Sequence, residues 1–342
     1  MLIAELIAPR EFRLTEQPIA EPGPGEVQVR VGATGICGSD LHAYSEGGVG
    51  DTPCAYPMVL GHEPAGTVVK TGPGVTGWAP GTRAALEPAI YCYHCEFCRA
   101  GRHNVCANIR FLSNNHLPGF FREYVNLPAT NLLPIPDSLP LDLATVIEPL
   151  AVALHSMKFA AIEIGERVAV FGGGPIGLLT LACLKAAGAG RIWMVEPLAH
   201  RREAALRMGA DAVLDPNEAD AAKEIYQAAG GRGVDCAIDC AAKEHTTNDA
   251  IRAARNAGRV VITGIHSDVF VPFEVSPMRR KELTIFNVRR SNDEAERARD
   301  LLIERQGLFA PMITHRRPLS EIADAFVNAE HYADSAIKTV IV

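Results

Sequence analysis

The sequence predicts an α/β chain of two domains: a partly open β-structure with many loops, and a doubly wound parallel sheet. Three observations point there. At 342 residues the chain exceeds what one hydrophobic core comfortably serves. Between residues 168 and 263, short apolar strands alternate strictly with Ala-rich helical segments, the pattern of parallel strands joined by right-handed crossovers. Before about residue 147, Gly and Pro instead punctuate short β-like runs such as 27–31 and 67–69.

The alternating half gives strands at 168–171, 192–195, 212–214, 236–239 and 260–263. Helical periodicity places helices at 176–187, 200–208, 219–229 and 246–254. After about residue 287 one helix is expected at 293–303, followed by mixed elements and a strand-like 337–342. Residues 1–150, completed by 288–342, should therefore form one domain, with 151–287 inserted as the other.

Hydrophobic residues at 48% and charged residues at 21% describe an ordinary globular chain. A net charge of −7 argues against a nucleic-acid partner. The opening residues, with Glu5 and Pro9, lack the basic start and apolar run of a secretory signal. No strongly apolar run approaches the ~18–20 residues of a membrane span, so no membrane partner is expected.

Four of the nine cysteines, Cys92, Cys95, Cys98 and Cys106, follow C-x2-C-x2-C-x7-C. The short gaps turn three sulfurs toward one point and the longer loop returns the fourth, a tetrahedral set suited to Zn²⁺. Four thiolates leave no open coordination position, so this metal should be structural. The alternative is four buried or disulfide-bonded cysteines. Cys37, Cys54, Cys183, Cys236 and Cys240 are scattered, which fits a reducing, cytoplasmic setting.

The strand at 168–171 runs into Gly172-Gly173-Gly174-Pro175-Ile176-Gly177, a G-x-G-x-x-G that opens a helix. Gly172 permits the tight turn, Gly174 lets backbone approach a pyrophosphate, and Gly177 lets helix and strand pack closely. Pro175 suits a first helical turn. Glu196 closes the next strand at the distance expected of an acid binding the adenosine ribose diol, which favours NAD over NADP. Arg201 and Arg202 lie near enough to weaken that preference.

Three further segments carry possible metal ligands: Cys37 in GICGSDLH, His62 and Glu63 in LGHEPAGTV, and Glu148 in IEPLAVALH. Read singly, Cys37 is a small buried hydrophobe, His62 a hydrogen-bonded loop histidine and Glu148 a helix-start acid. Together with the cysteine lobe and VFGGGPIGLL, however, they stand in the order found in zinc-dependent medium-chain dehydrogenase/reductases, which the chain resembles over essentially its whole length. The resemblance implies a GroES-like catalytic domain and a Rossmann domain, with the nicotinamide and a catalytic zinc held between them. Cys37 and His62 would hold that zinc, with Glu63 and Glu148 as alternating or water-linked ligands. Glu148 in IEPL, the run 287–292 (NVRRSN) and the run 314–319 (THRRPL) resemble the sorbitol (L-iditol) dehydrogenase branch.

The same resemblance implies hydride transfer from a secondary alcohol, a polyol above all, to NAD⁺, giving a ketose. Ser39 and His42 would relay the proton, and Asp40 would fix the tautomer of His62 or simply form a turn. Arg289 and Tyr44 would meet the substrate, and Val288 the cofactor. The chain departs from the branch at Ala43 and Arg290, both in the substrate pocket. His155 is expected to be structural, and His103, His116, His245, His266 and His331 to be surface or loop residues. A threonine dehydrogenase or simple alcohol dehydrogenase activity is the alternative, and a non-catalytic NAD-binding scaffold the remote one. The family further implies a homo-oligomer, a tetramer or a dimer.

Overall fold

The computed structural model describes residues 1–114, 117–243 and 245–342; His116 lies outside them. The chain divides into two units, Met1–Glu148 with Ala295–Val342, and Pro149–Glu294.

The first unit is built on a seven-stranded sheet. Leu132–Pro134, Arg83–Leu86, Glu63–Thr71, Glu26–Gly35, Lys338–Ile341 and Ile313–Arg317 follow one another, and Tyr124–Pro128 also pairs with Glu26–Gly35. The pairs are antiparallel except that between Ile313–Arg317 and Lys338–Ile341. The C-terminal strand thus enters the N-terminal sheet, which makes residues far apart in sequence neighbours. Val27, Val29, Val68, Leu86 and Leu127 pack one core, and Leu6, Tyr44, Leu60 and Phe326 another.

The second unit carries a six-stranded parallel sheet in the order Ala212–Leu214, Arg191–Val195, Arg167–Phe171, Val234–Asp239, Ala254–Ile262, Thr284–Asn287. Written by position along the chain this is 3-2-1-4-5-6, a doubly wound arrangement. Val168, Ala169, Val170 and Phe171 are all buried because helices cover both faces, so the strand needs a continuous apolar run. Helices Pro175–Ala186, Ala199–Arg207, Ala221–Ala228 and Thr246–Ala253 begin within two residues of their expected starts.

One boundary needs correction. The sequence pattern has the chain leave the second unit after 287, but 288–294 remain with it. The reason is Glu294, whose carboxylate accepts from His155 Nδ1 at 3.1 Å and ion-pairs with Lys158, both on helix Ile147–Ala160. Asn292 N–H also bonds Glu294, which ties the segment down before the chain departs. Residues 141–160 form two successive helices, together as long and apolar as a membrane span, but most of that stretch is buried, as in a core helix.

Candidate active site and metal centres

The cysteine lobe is drawn together as its spacing requires. All four sulfurs lie within 4.8 Å of one another, and none is disulfide-bonded. The Cys92–Cys106, Cys95–Cys106 and Cys92–Cys98 separations are 3.4, 3.9 and 4.0 Å. Four thiolates about 2.3 Å from one tetrahedral zinc stand about 3.8 Å apart, so the set fits the ion. Backbone N–H groups of Cys95 and Cys98 point at the sulfurs of Cys92 and Cys95, at 3.4 and 3.5 Å, and favour thiolates. The Asn108 amide helps pull Cys92 down to about 5, whereas burial pushes Cys98 up to about 12. A divalent cation would remove that conflict by accepting all four as thiolates.

A second donor set forms in the same unit. Cys37, His62 and Glu63 offer ligand atoms that all lie within 4.8 Å of one another. Local structure explains the convergence. Cys37 caps helix Gly38–Glu46, and its N–H donates to the Asp40 carboxylate at 3.0 Å. The other Asp40 oxygen accepts from Gly61 N–H at 3.1 Å and faces His62 Nδ1 at 3.3 Å. Asp40 therefore joins the two ligand segments and holds the imidazole by Nδ1, so that His62 Nε2 faces away from it. Burial opposes charge on both partners, but the Asp40–His62 attraction outweighs it. Asp40 is held below the usual carboxylate range and His62 well above the usual imidazole range.

Glu63 begins strand Glu63–Thr71 and is buried, with Oε1 accepting no hydrogen bond among the described residues. Its other oxygen ion-pairs with Lys338, which is equally buried and also donates to Ile36 O at 2.9 Å. No motif in the sequence points to Lys338. An orphaned carboxylate oxygen beside a thiol and an oriented imidazole fits a zinc centre. Glu148 stands outside the converged set but close enough to feel His62, Glu63 and Lys338. Burial pushes its carboxyl up to about 8.

Ser39 Oγ lies 3.4 Å from His62 Nε2, while His42 is bonded to Glu46 at 3.0 Å. Tyr44 requires a correction. Instead of lining a substrate pocket it is 2% exposed and packs on Phe12 and Phe326, because its helix turns that face to the core. Arg289 is exposed on the second unit, and the Val288 N–H bonds Ile262 O at 2.9 Å, prolonging the sheet.

The dinucleotide turn belongs wholly to the second unit. Gly172 has φ +98°, and a Cβ on Gly177 would sit 1.8 Å from Gly172 O, so neither tolerates a side chain. Gly174 caps helix Pro175–Ala186, with Pro175 in the first turn and half-buried Ile176 next. The free N–H groups of that first turn are donors that could meet an anion. Glu196 is 3% exposed and accepts from Gly173 N–H at 2.6 Å and Leu198 N–H at 2.9 Å. Arg201 reaches over Gly174, its Nη1 3.6 Å from where a Cβ would stand. Arg202 is committed to Asp215 and the Glu196 carbonyl.

Comparison with known proteins completes the case. Residues 23–137 match the alcohol dehydrogenase GroES-like domain and residues 175–304 the zinc-binding dehydrogenase domain. Sorbitol dehydrogenase of Bacillus subtilis is 33% identical over 334 residues, covering 97% of this chain and 94% of that one. The chain belongs to the zinc-dependent medium-chain dehydrogenase/reductases and is sorbitol dehydrogenase-like. L-threonine 3-dehydrogenase of Pyrococcus horikoshii is 37% identical over 276 residues, covering 80% and 78% of the two chains. A zinc-binding dehydrogenase of Sinorhizobium meliloti, crystallised with NADP, superposes with a TM-score of 0.91 at 33% identity, over 100% of this chain and 98% of that one. As a member of this family the chain is an alcohol dehydrogenase-type enzyme that uses zinc and a nicotinamide cofactor.

Proposed function

We propose that this enzyme oxidises a secondary alcohol of a polyol to a ketose with NAD⁺ as hydride acceptor. The observation that carries the reading is the convergence of Cys37, His62 and Glu63 with Asp40 behind the imidazole. Zinc bound there would supply Lewis acidity that stabilises charge on the substrate oxygen, and the nicotinamide would accept the hydride. Cys37, His62 and Glu63 would hold the metal, with Glu148 as the adjacent carboxylate. Ser39 contacts His62 Nε2, and His42 lies one helical turn further on, so these two side chains give the proton its route outward. Arg289 is the proposed cation beside the polyol, and Val288 the residue flanking the cofactor.

Several details belong to the same proposal. Two zinc ions per chain are expected, one in each donor set. NAD is preferred to NADP because Glu196 places a buried carboxylate beside the glycine turn. A homo-oligomer, a tetramer or a dimer, is supported by the exposed Ile265, Val269, Phe270 and Val275, in the segment preceding the free edge strand Thr284–Asn287. A reducing, cytoplasmic location is supported by nine free cysteines.

The test is NAD⁺ reduction with sorbitol, xylitol, galactitol, L-threonine and simple secondary alcohols, with and without a chelator. Chelator-sensitive turnover of a polyol is expected. Turnover of L-threonine alone would favour the second reading, which the Pyrococcus relative supports. No turnover of any alcohol by the zinc-loaded chain would overturn the proposal.

A further inference from the structure

Asp239 ends strand Val234–Asp239 and is fully buried. One carboxylate oxygen accepts from the N–H groups of Ala241 and Ala242, at 3.0 and 2.9 Å. The other accepts from the hydroxyl of Thr247 at 2.6 Å. Thr247 has a single hydroxyl hydrogen and spends it on this acceptor-only group. His266 Nε2, 3.2 Å from the same hydroxyl oxygen, must therefore be the donor, which puts a ring proton on that nitrogen. The hydrogen bonds run one way, from His266 through Thr247 to Asp239. None of the three belongs to the glycine turn or to a metal centre.

These bonds fix a loop at the carboxyl ends of the parallel strands. Thr263 and Gly264, which follow strand Ala254–Ile262, donate their N–H groups to Asp239 O at 2.8 and 3.0 Å. His266 adds a third tie two residues on. Gly264 packs so close to Ala242 that a Cβ on it would stand 2.7 Å from the alanine methyl. Ala241 in turn abuts Gly172, where a Cβ would stand 2.9 Å from Ala241 N. Residues 241–242 thus lie between the first glycine of the dinucleotide turn and the loop 263–266. The N–H groups of Ile265 and His266 in that loop have no partner among the described residues. On a sheet of order 3-2-1-4-5-6 a dinucleotide spreads over two halves, outside the carboxyl ends of the strands. Glu196 follows strand Arg191–Val195, so the adenosine belongs over the first three strands and the nicotinamide half over the last three, where this loop stands.

Given a nicotinamide dinucleotide at the glycine turn, we propose that His266, anchored through Thr247 to Asp239, is a positioning residue that sets the loop 263–266 against the nicotinamide half of the cofactor. NADH and AMP titrated calorimetrically into the full zinc-loaded chain test this, because AMP fills the adenosine half alone. His266→Ala should weaken NADH about three- to tenfold and leave AMP unchanged. His266→Gln sets an amide N–H near the place of Nε2–H and should restore most of the loss. Unchanged NADH affinity in His266→Ala, an equal loss for NADH and AMP, or a Gln variant as weak as the Ala variant would overturn the proposal. Should NADH bind poorly to the wild-type chain, NADPH gives the same comparison, so a failed NAD preference is told apart from a failed role for His266.

Discussion

The ammonium of Lys338 and the carboxylate of Glu63 form an ion pair with both side chains sealed from solvent, although the residues begin two strands at opposite ends of the sequence. Burial alone would strip Lys338 of its proton; the nearby Glu63 and Cys37 outweigh it and raise its pKa. Lys338→Met should therefore leave a buried carboxylate without a counter-cation. The expected cost to the zinc-free chain is about 3–5 kcal/mol, read by urea unfolding. Zinc should then bind more tightly, because Glu63 is free to turn to the metal. Unchanged stability together with weaker zinc would refute this role.

That pair marks where sequence reading reaches its limit. The cysteine lobe is legible because its ligands are close in sequence and their spacing sets their geometry. The glycine turn is legible because Gly172 and Gly177 meet across a single turn. Lys338 belongs to no motif, and only the entry of strand Lys338–Ile341 into the N-terminal sheet brings it to Glu63. Tyr44 misleads for the opposite reason. Its motif is local, but the face of helix Gly38–Glu46 that turns inward is decided by Phe12 and Phe326. The late boundary at 295 likewise depends on Glu294 reaching His155, a contact that composition does not announce.

Removing one ligand from the lobe should unload one metal without touching the other. Cys98→Ser is expected to lower zinc content from two ions per chain to one, measured by elemental analysis, and to lower the melting temperature. Cys98 is the ligand to choose because it is buried and its thiol resists ionisation most, so it depends most on the cation. Retention of both ions would show that the four sulfurs do not hold one metal.

Asp40 should matter to metal binding without being a ligand. It is buried and touches both Cys37 N–H and His62 Nδ1. Asp40→Asn keeps the shape but removes the charge that holds the imidazole, and affinity for the active-site zinc should fall about 10–100-fold. A competition titration with a chromophoric chelator reads this directly. The metal of the cysteine lobe should be unaffected.

The Glu294 cluster predicts a pH dependence of stability. Burial works to raise the Glu294 pKa, but His155, Lys158 and Asn292 outweigh it and leave it lowered. A group whose folded pKa is depressed stabilises the fold above its unfolded pKa, near about 4.3. That contribution is lost as pH falls through the folded value. Glu294→Gln should therefore cost about 3 kcal/mol at neutral pH. The difference from wild type should shrink as pH drops below about 4. A gap that stays constant with pH would assign the effect to packing instead of charge.

Cofactor choice should turn on the balance between Glu196 and Arg201. Glu196 closes strand Arg191–Val195 with both carboxylate oxygens taken by N–H groups of Gly173 and Leu198, so its charge is fixed beside the glycine turn. A 2′-phosphate brought there meets that charge, whereas a ribose diol can donate to it. Arg201, reaching over Gly174, pulls the other way. Glu196→Gln keeps one of the two backbone acceptors and removes the repulsion, so the ratio of kcat/KM for NAD⁺ over NADP⁺ should fall about tenfold or more, equivalent to about 1.4 kcal/mol. Arg201→Ala should move the ratio the opposite way, since only the 2′-phosphate gains from the guanidinium. If Arg201→Ala left both cofactors equally impaired, its contact would lie with the pyrophosphate that they share, and the choice between them would rest on Glu196 alone.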